Sequence, residues 1–212
     1  MSLRIPALLL GVILVIYWGR VLQMAARSRK RAGRSANLIP REKLGRVLRL
    51  FWAPAIIIWV GQPWITALSQ KAPSLLVPLN SNAWIEWVSV AVCTAGLATT
   101  WVCWKKMGRQ WRMGIDPTET SQLISTGPYA HVRHPIYAIS QVIMIASICA
   151  IPSALMIAAG AVHLILIQWE ARREENYLLN VDRAAYEAYC LRVGRFIPRL
   201  AGKPVAQENK LP

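Results

Sequence analysis

The feature that most constrains this chain is a series of apolar runs near membrane length, separated by loops that hold almost all of its positive charge. A helix of about 20 apolar residues crosses a hydrocarbon core of roughly 30 Å. Inside lipid every backbone N–H and C=O must be satisfied by the protein itself, which leaves helices or closed barrels as spanning structures. Five such runs are present, at about 5–26, 50–68, 83–104, 136–151 and 154–169. Alternating strand patterns do not replace them, so the expected fold is all-α: one integral membrane domain of about five transmembrane helices. The last two runs are short and meet at Pro152-Ser153, which predicts a C-terminal helical hairpin that barely crosses. Pro54 and Pro63 predict kinks in the second run.

The charge distribution decides what the net +15 means. Segments 27–49, 105–135 and 170–212 carry 22 of the 25 Lys and Arg residues. With five spans all three fall on one side of the bilayer, so the positive-inside rule puts the N-terminus outside and the C-terminus in the cytoplasm, which for a bacterial chain means the inner or plasma membrane. Charge so placed reads as membrane topology, not as a nucleic-acid surface. The first apolar run is long and leads into a basic loop, so it reads as a retained span and not as a cleaved signal. Cys93, Cys103, Cys149 and Cys190 form no CxxC or Cys/His cluster, so neither a disulfide nor a metal is expected.

Two stretches carry polar chemistry. The first is Gly127-Pro128-Tyr129-Ala130-His131-Val132-Arg133-His134-Pro135-Ile136-Tyr137, between a basic loop and the fourth run. Gly127-Pro128 starts a turn, and Pro135 suits the first position of a helix. Free backbone N–H groups, two phenols and an imidazole there could cradle a small ligand; an interfacial anchor of Tyr, Arg and His is the plainer reading. The second is an amphipathic cytosolic tail helix over 171–191. At 100° per residue, Glu175 shares a side with Arg172, Leu178, Leu179, Tyr186 and Tyr189, the side expected to pack on the protein. A carboxylate there needs a partner, either Arg172 one turn earlier or a cationic ligand. Glu86, near the start of the third run, reads as a boundary residue, and His163 as an inter-helix hydrogen-bonding residue.

Together these stretches resemble the isoprenylcysteine carboxyl methyltransferase family. The residues concerned are Gly127-Pro128-Tyr129, Arg133-His134-Pro135-x-Tyr137, Arg172-x-Glu174-Glu175, Tyr186-x-x-Tyr189 and Val193-Gly194-Arg195-Phe196-Ile197-Pro198, in that order around an apolar hairpin. The resemblance covers about 108–199 and divides the domain into N-terminal spans, 1–104, and a catalytic half, 105–212. It implies a membrane methyltransferase that uses S-adenosylmethionine, with a lipophilic, prenylated or lipid acceptor and no soluble dinucleotide fold. It also implies site residues: Ser121, Gln122, Leu123, Ile124, Tyr129, His134, Pro135, Ile136, Tyr137 and Glu175 for the cofactor, and Arg172 facing the methyl acceptor. On chemical grounds Arg133 is a second candidate to hold an anionic acceptor, and Glu174 or His134 is the candidate base if the acceptor is an amine or hydroxyl. The sequence departs from the family pattern at Asp182-Arg183, at Gly194 and at Ala138-Ile139. The competing readings are an NADPH-dependent sterol-type membrane reductase and a non-enzymatic membrane protein.

Overall fold

A computed structural model describes residues 4–32, 43–69, 73–108, 111 and 123–199. Six α-helices account for most of them: α1 (Ile5–Ala32), α2 (Lys43–Leu68), α3 (Ala83–Met107), α4 (Pro135–Ala150), α5 (Ala154–Val181) and α6 (Arg183–Arg192). Four of these, α1, α2, α3 and α5, are long and apolar enough to cross a membrane. The remaining apolar helix, α4, has 16 residues and is about 24 Å long at 1.5 Å per residue. The chain is an all-α, multi-pass integral membrane protein, as its apolar runs require. Large apolar side chains left outside the packed interior, such as Val15, Ile16, Leu50, Ile57, Val102 and Ile165, form the lipid-facing surface.

The five apolar helices close on one another in the order α1–α3–α4–α5–α2, each packing on two neighbours. Small residues permit the close approaches. A Cβ on Gly96 of α3 would lie 2.7 Å from the Ile143 side chain of α4, and one on Gly160 of α5 would lie 2.4 Å from Ile148. Buried polar groups add directional ties. Trp59 Nε1 donates to Ser147 Oγ at 2.9 Å, and His163 bridges α2 and α4 as the inter-helix residue expected. Glu86 is buried at the far end of the bundle, paired with Arg4 and accepting from Ser81 Oγ.

The C-terminal half departs from expectation in one respect. The sequence predicts a short fifth span ending near 169 and a separate tail helix over 171–191. Instead α5 runs unbroken for 28 residues, about 42 Å, well beyond a ~30 Å core. Charge at Glu170, Arg172, Arg173, Glu174 and Glu175 ends the membrane-embedded part of α5 near Trp169, but it does not end the helix. The break comes at Asp182, which has extended dihedrals and accepts from Ala185 N at 3.0 Å, capping α6. Ser153 caps α5 in the same way through Met156 N, closing the tight hairpin with α4.

Candidate functional site

The motif 127–137 is built as a turn leading into a helix. Gly127 has φ +66°, a conformation that favours glycine, and opens a single 3-10 turn over Gly127–Ala130. His134 is the N-cap of α4 and Pro135 its first helical residue, where a missing N–H costs nothing. A strap formed by 193–196 lies alongside. Arg133 N donates to Gly194 O at 2.8 Å, His134 N donates to Arg195 O at 3.0 Å, and Val132 and Gly194 form a parallel bridge. The strap turns back tightly: a Cβ on Gly194 would stand 2.0 Å from the Ile197 carbonyl oxygen. Tyr189 Oη of α6 donates to Tyr129 O at 2.5 Å, and burial pushes its phenol up to about 12. Burial likewise raises the Tyr129 phenol, so neither tyrosine is ionised.

Glu175 is the hub of this assembly. Its Oε1 accepts from Arg133 Nε and Nη2 at 3.1 and 3.0 Å and from Arg195 Nε at 3.0 Å, and it lies 3.2 Å from His134 Nε2. Arg195 Nη2 reaches Oε2 at 2.5 Å. Burial alone would raise this carboxyl. The bonds from His134 and Arg195 and the charges of His134 and Arg133 outweigh it and hold the group at about 2. The same bonds raise the Arg195 guanidinium. Arg133 also donates Nη1 to Val193 O at 2.5 Å. One carboxylate thus ties α5, the loop before α4 and the strap together.

Beside this hub a cavity opens where the middle of α1, the C-terminal end of α3, the N-terminal ends of α2 and α4, and the charged turns of α5 converge. Its wall includes Tyr129, Arg133, His134, Pro135, Ile136 and Tyr137 from the motif, Glu170 and Glu174 from α5, Arg49 and Trp52 from α2, and Tyr17, Trp18, Trp104, Trp111 and Ser140. The His134 and Tyr137 rings stack at 5.4 Å and 4°. Glu174 lies 3.7 Å from His134 Nδ1 and contacts the Tyr137 hydroxyl. Glu170 pairs with Arg173 at 2.8 Å, and Arg49 lies over the Trp52 ring at 4.8 Å. Carboxylates, guanidinium groups and aromatic faces around one space suit a zwitterionic, cationic small molecule: carboxylates for an ammonium, ring faces for a positive centre.

Of the residues the sequence singles out, Tyr129, Arg133, His134, Pro135, Ile136, Tyr137 and Glu174 come together on the cavity wall. Glu175 stands behind the wall with its oxygens taken by the two arginines and His134. Arg172 is exposed and outside the wall. Leu123 packs against the tail cluster of Tyr186, Tyr189 and Val193, and Ile124 is half-buried beside it in sequence. Ser121 and Gln122 lie outside the described residues. Sequence reasoning missed the walls contributed by α1, α2 and α3, because apolar spans carry no motif. It also missed Glu170, although its spacing of four from Glu174 puts both on one helix face.

Residues 88–180 match the model of the isoprenylcysteine carboxyl methyltransferase family, so the resemblance read from the motifs holds over that stretch. A curated relative, the nickel-cobalt-cadmium resistance protein NccN of Alcaligenes xylosoxydans xylosoxydans, is 29% identical over 116 residues, 54% of each chain. The chain thus spans about half the length of that relative.

Proposed function

We propose that this protein is a membrane methyltransferase that uses S-adenosylmethionine to methylate a lipophilic acceptor, a carboxylate in the first instance or else a lipid amine or hydroxyl. The observation that carries the reading is the convergence of Tyr129, His134, Tyr137 and Glu174 on one cavity at the end of the bundle from which the basic segments emerge. By the charge rule that end is cytoplasmic, where a water-soluble cofactor is available. The wall fits the cofactor by its chemistry: Glu174 and Glu170 for the ammonium, guanidinium N–H groups for the carboxylate, and the stacked His134–Tyr137 pair with Trp111 and Tyr129 for the base and the sulfonium.

When bound, S-adenosylmethionine supplies a methyl group on a sulfonium, already activated for in-line displacement. The protein therefore has to position, orient and exclude water. Glu175 contributes through Arg133, His134 and Arg195, which fix the loop and strap. Arg133, held by Glu175 and Val193 O, presents positive charge at the wall toward an anionic acceptor. A carboxylate acceptor is ionised near neutral pH and needs no base. An amine or hydroxyl acceptor would lose its proton to Glu174, or to His134. The apolar helices offer the acceptor a route from the bilayer.

The test is calorimetric titration of S-adenosylhomocysteine into the purified chain, with nicotinamide cofactor as the control. Binding of the former and not the latter supports the reading; the reverse favours a reductase. Incubation of membranes with methyl-labelled S-adenosylmethionine then identifies the acceptor fraction, and release of the label by base marks an ester.

A further inference from the structure

Where α1 packs on α3, the seam holds a cation without a carboxylate. Arg4, just before α1, pairs with Glu86 in the first turn of α3 and marks the far boundary of the bundle. Arg20 stands about 24 Å further along α1, so a hydrocarbon core of roughly 30 Å that begins at Arg4 still encloses it. α1 contains no acidic residue and Glu86 is the single one in α3, so neither helix of the seam offers Arg20 a counter-charge. It forms no ion pair among the described residues. A guanidinium at that depth is costly unless an anion meets it.

The side chain is held in one place. Its guanidinium carbon lies 4.8 Å from the centre of the Trp101 ring of α3, and Nη1 donates to Gln23 Oε1. Nε is enclosed and takes no part. Nη2 is neither enclosed nor hydrogen-bonded among the described residues, so its N–H groups remain for a ligand. Two exposed cations share this face: Arg27, seven positions after Arg20 and about 20° round the helix, and Lys105, four positions after Trp101 and about 40° round. Lys106 is committed elsewhere, its stem 3.5 Å from where a Cβ on Gly127 would stand. Toward the membrane interior the same faces carry Ile16 and Val12 of α1 and Ala98 and Thr94 of α3, all exposed. Bulky apolar residues beside small ones leave a shallow track along which an acyl chain can lie.

We propose that the α1–α3 seam binds an anionic phospholipid in the leaflet at the charged end of the bundle. Arg20 Nη2 donates to its phosphate, Arg27 and Lys105 flank the head, and Trp101 is the positioning residue that holds the guanidinium. The site is independent of the reaction proposed above. Depth favours a lipid phosphate over a free one, because Arg20 lies two turns below Arg27 and its approach from the side is through acyl chains. Charge favours an anionic head over a zwitterionic one, because a choline group would meet Arg27 and Lys105. Basic pockets between transmembrane helices select anionic lipids on the same grounds.

Native mass spectrometry of the full chain in dodecyl maltoside, titrated with dioctanoyl phosphatidylglycerol or dioctanoyl phosphatidylcholine, counts bound lipids and gives the affinity of the first. Phosphatidylglycerol is expected to bind about tenfold more tightly, the worth of one charge-assisted hydrogen bond. Arg20→Gln should erase that preference. Trp101→Leu, which keeps every charge, should weaken phosphatidylglycerol about threefold and leave phosphatidylcholine unchanged. Arg46→Gln removes an exposed cation of α2 outside the seam and should change neither affinity. Equal affinity for the two lipids in the parent chain overturns the site without any variant, so a poorly folding Arg20→Gln does not shield it. Equal losses in Arg20→Gln and Arg46→Gln mark diffuse surface charge and overturn it as well. Glycerol phosphate at the same concentration should not displace the bound phosphatidylglycerol; displacement marks a site for free phosphate and overturns the lipid assignment.

Discussion

Arg133 directs two donors, Nε–H and Nη2–H, at a single oxygen of Glu175, 42 positions along the chain. The pair joins the loop that opens α4 to the charged turns of α5, and Arg195 completes it from the strap. A carboxylate so engaged acts first on the shape of the cavity wall and only through that shape on a ligand.

Removing the hub carboxylate should therefore cost stability and binding together. Glu175→Ala leaves Arg133 and Arg195 facing each other unneutralised, a loss of about 3 kcal/mol for a buried pair broken on one side. Arg195→Ala should cost less than half of that, because Arg195 is a third exposed and Arg133 remains paired. Denaturant unfolding followed by tryptophan fluorescence measures both. S-adenosylhomocysteine affinity should fall in the order of the stability losses. Normal binding in Glu175→Ala would end the hub's role in the site.

Acid should release the hub at a defined pH. The Glu175 carboxyl is held at about 2 in the folded chain, against 4.5 when unperturbed. A depressed folded value means that its contribution is fully present above pH 4.5 and is lost progressively as pH falls toward 2. Thermal unfolding of the detergent-solubilised chain should show that loss, and Glu175→Gln should flatten the profile across the same window.

Glu174 and Arg172 separate by position. Glu174 lies on the cavity wall and Arg172 does not. Glu174→Gln should weaken S-adenosylhomocysteine about tenfold, the size of a charge-assisted hydrogen bond. Arg172→Ala should change binding and turnover by less than about twofold, as expected of an exposed charge. A large loss of turnover in Arg172→Ala would restore to it the acceptor role that the family resemblance implies.

Gly194 should tolerate no side chain. Its Cβ would meet the Ile197 carbonyl oxygen at 2.0 Å, so Gly194→Ala must shift the strap at a cost of about 1–3 kcal/mol. Limited proteolysis between 192 and 199 should cut this variant faster than the parent chain, with α1 to α5 unaffected. What stands in the sequence as a departure from the family pattern thus has a local steric reason.

Much of the fold was legible in the residues. The apolar runs required membrane helices, and Pro135 and Ser153 marked helix starts that the structure contains. Length was less legible: charge at 170–175 ends a membrane contact but not a helix, so α5 ran on until Asp182 offered a better cap than another turn. In the site, the motif identified Tyr129, His134 and Tyr137 because turn, aromatic and imidazole residues cluster in one short stretch. Trp18, Trp104 and Ser140 were invisible, because on an apolar helix a residue facing a cavity and one facing lipid satisfy the same pattern.

By itself the sequence determined the medium, the helix count to within one short helix, the charged end of the bundle and the segments that carry polar chemistry. All of these follow from local hydropathy and backbone satisfaction. Only the tertiary structure decided which carboxylate serves as strut and which faces the cavity, that Arg172 stays outside, and that α1, α2 and α3 complete the cavity wall. Those facts depend on helix rotation and on contacts between distant segments, where a difference of 100° between neighbouring residues exchanges a buried ion pair for an exposed charge.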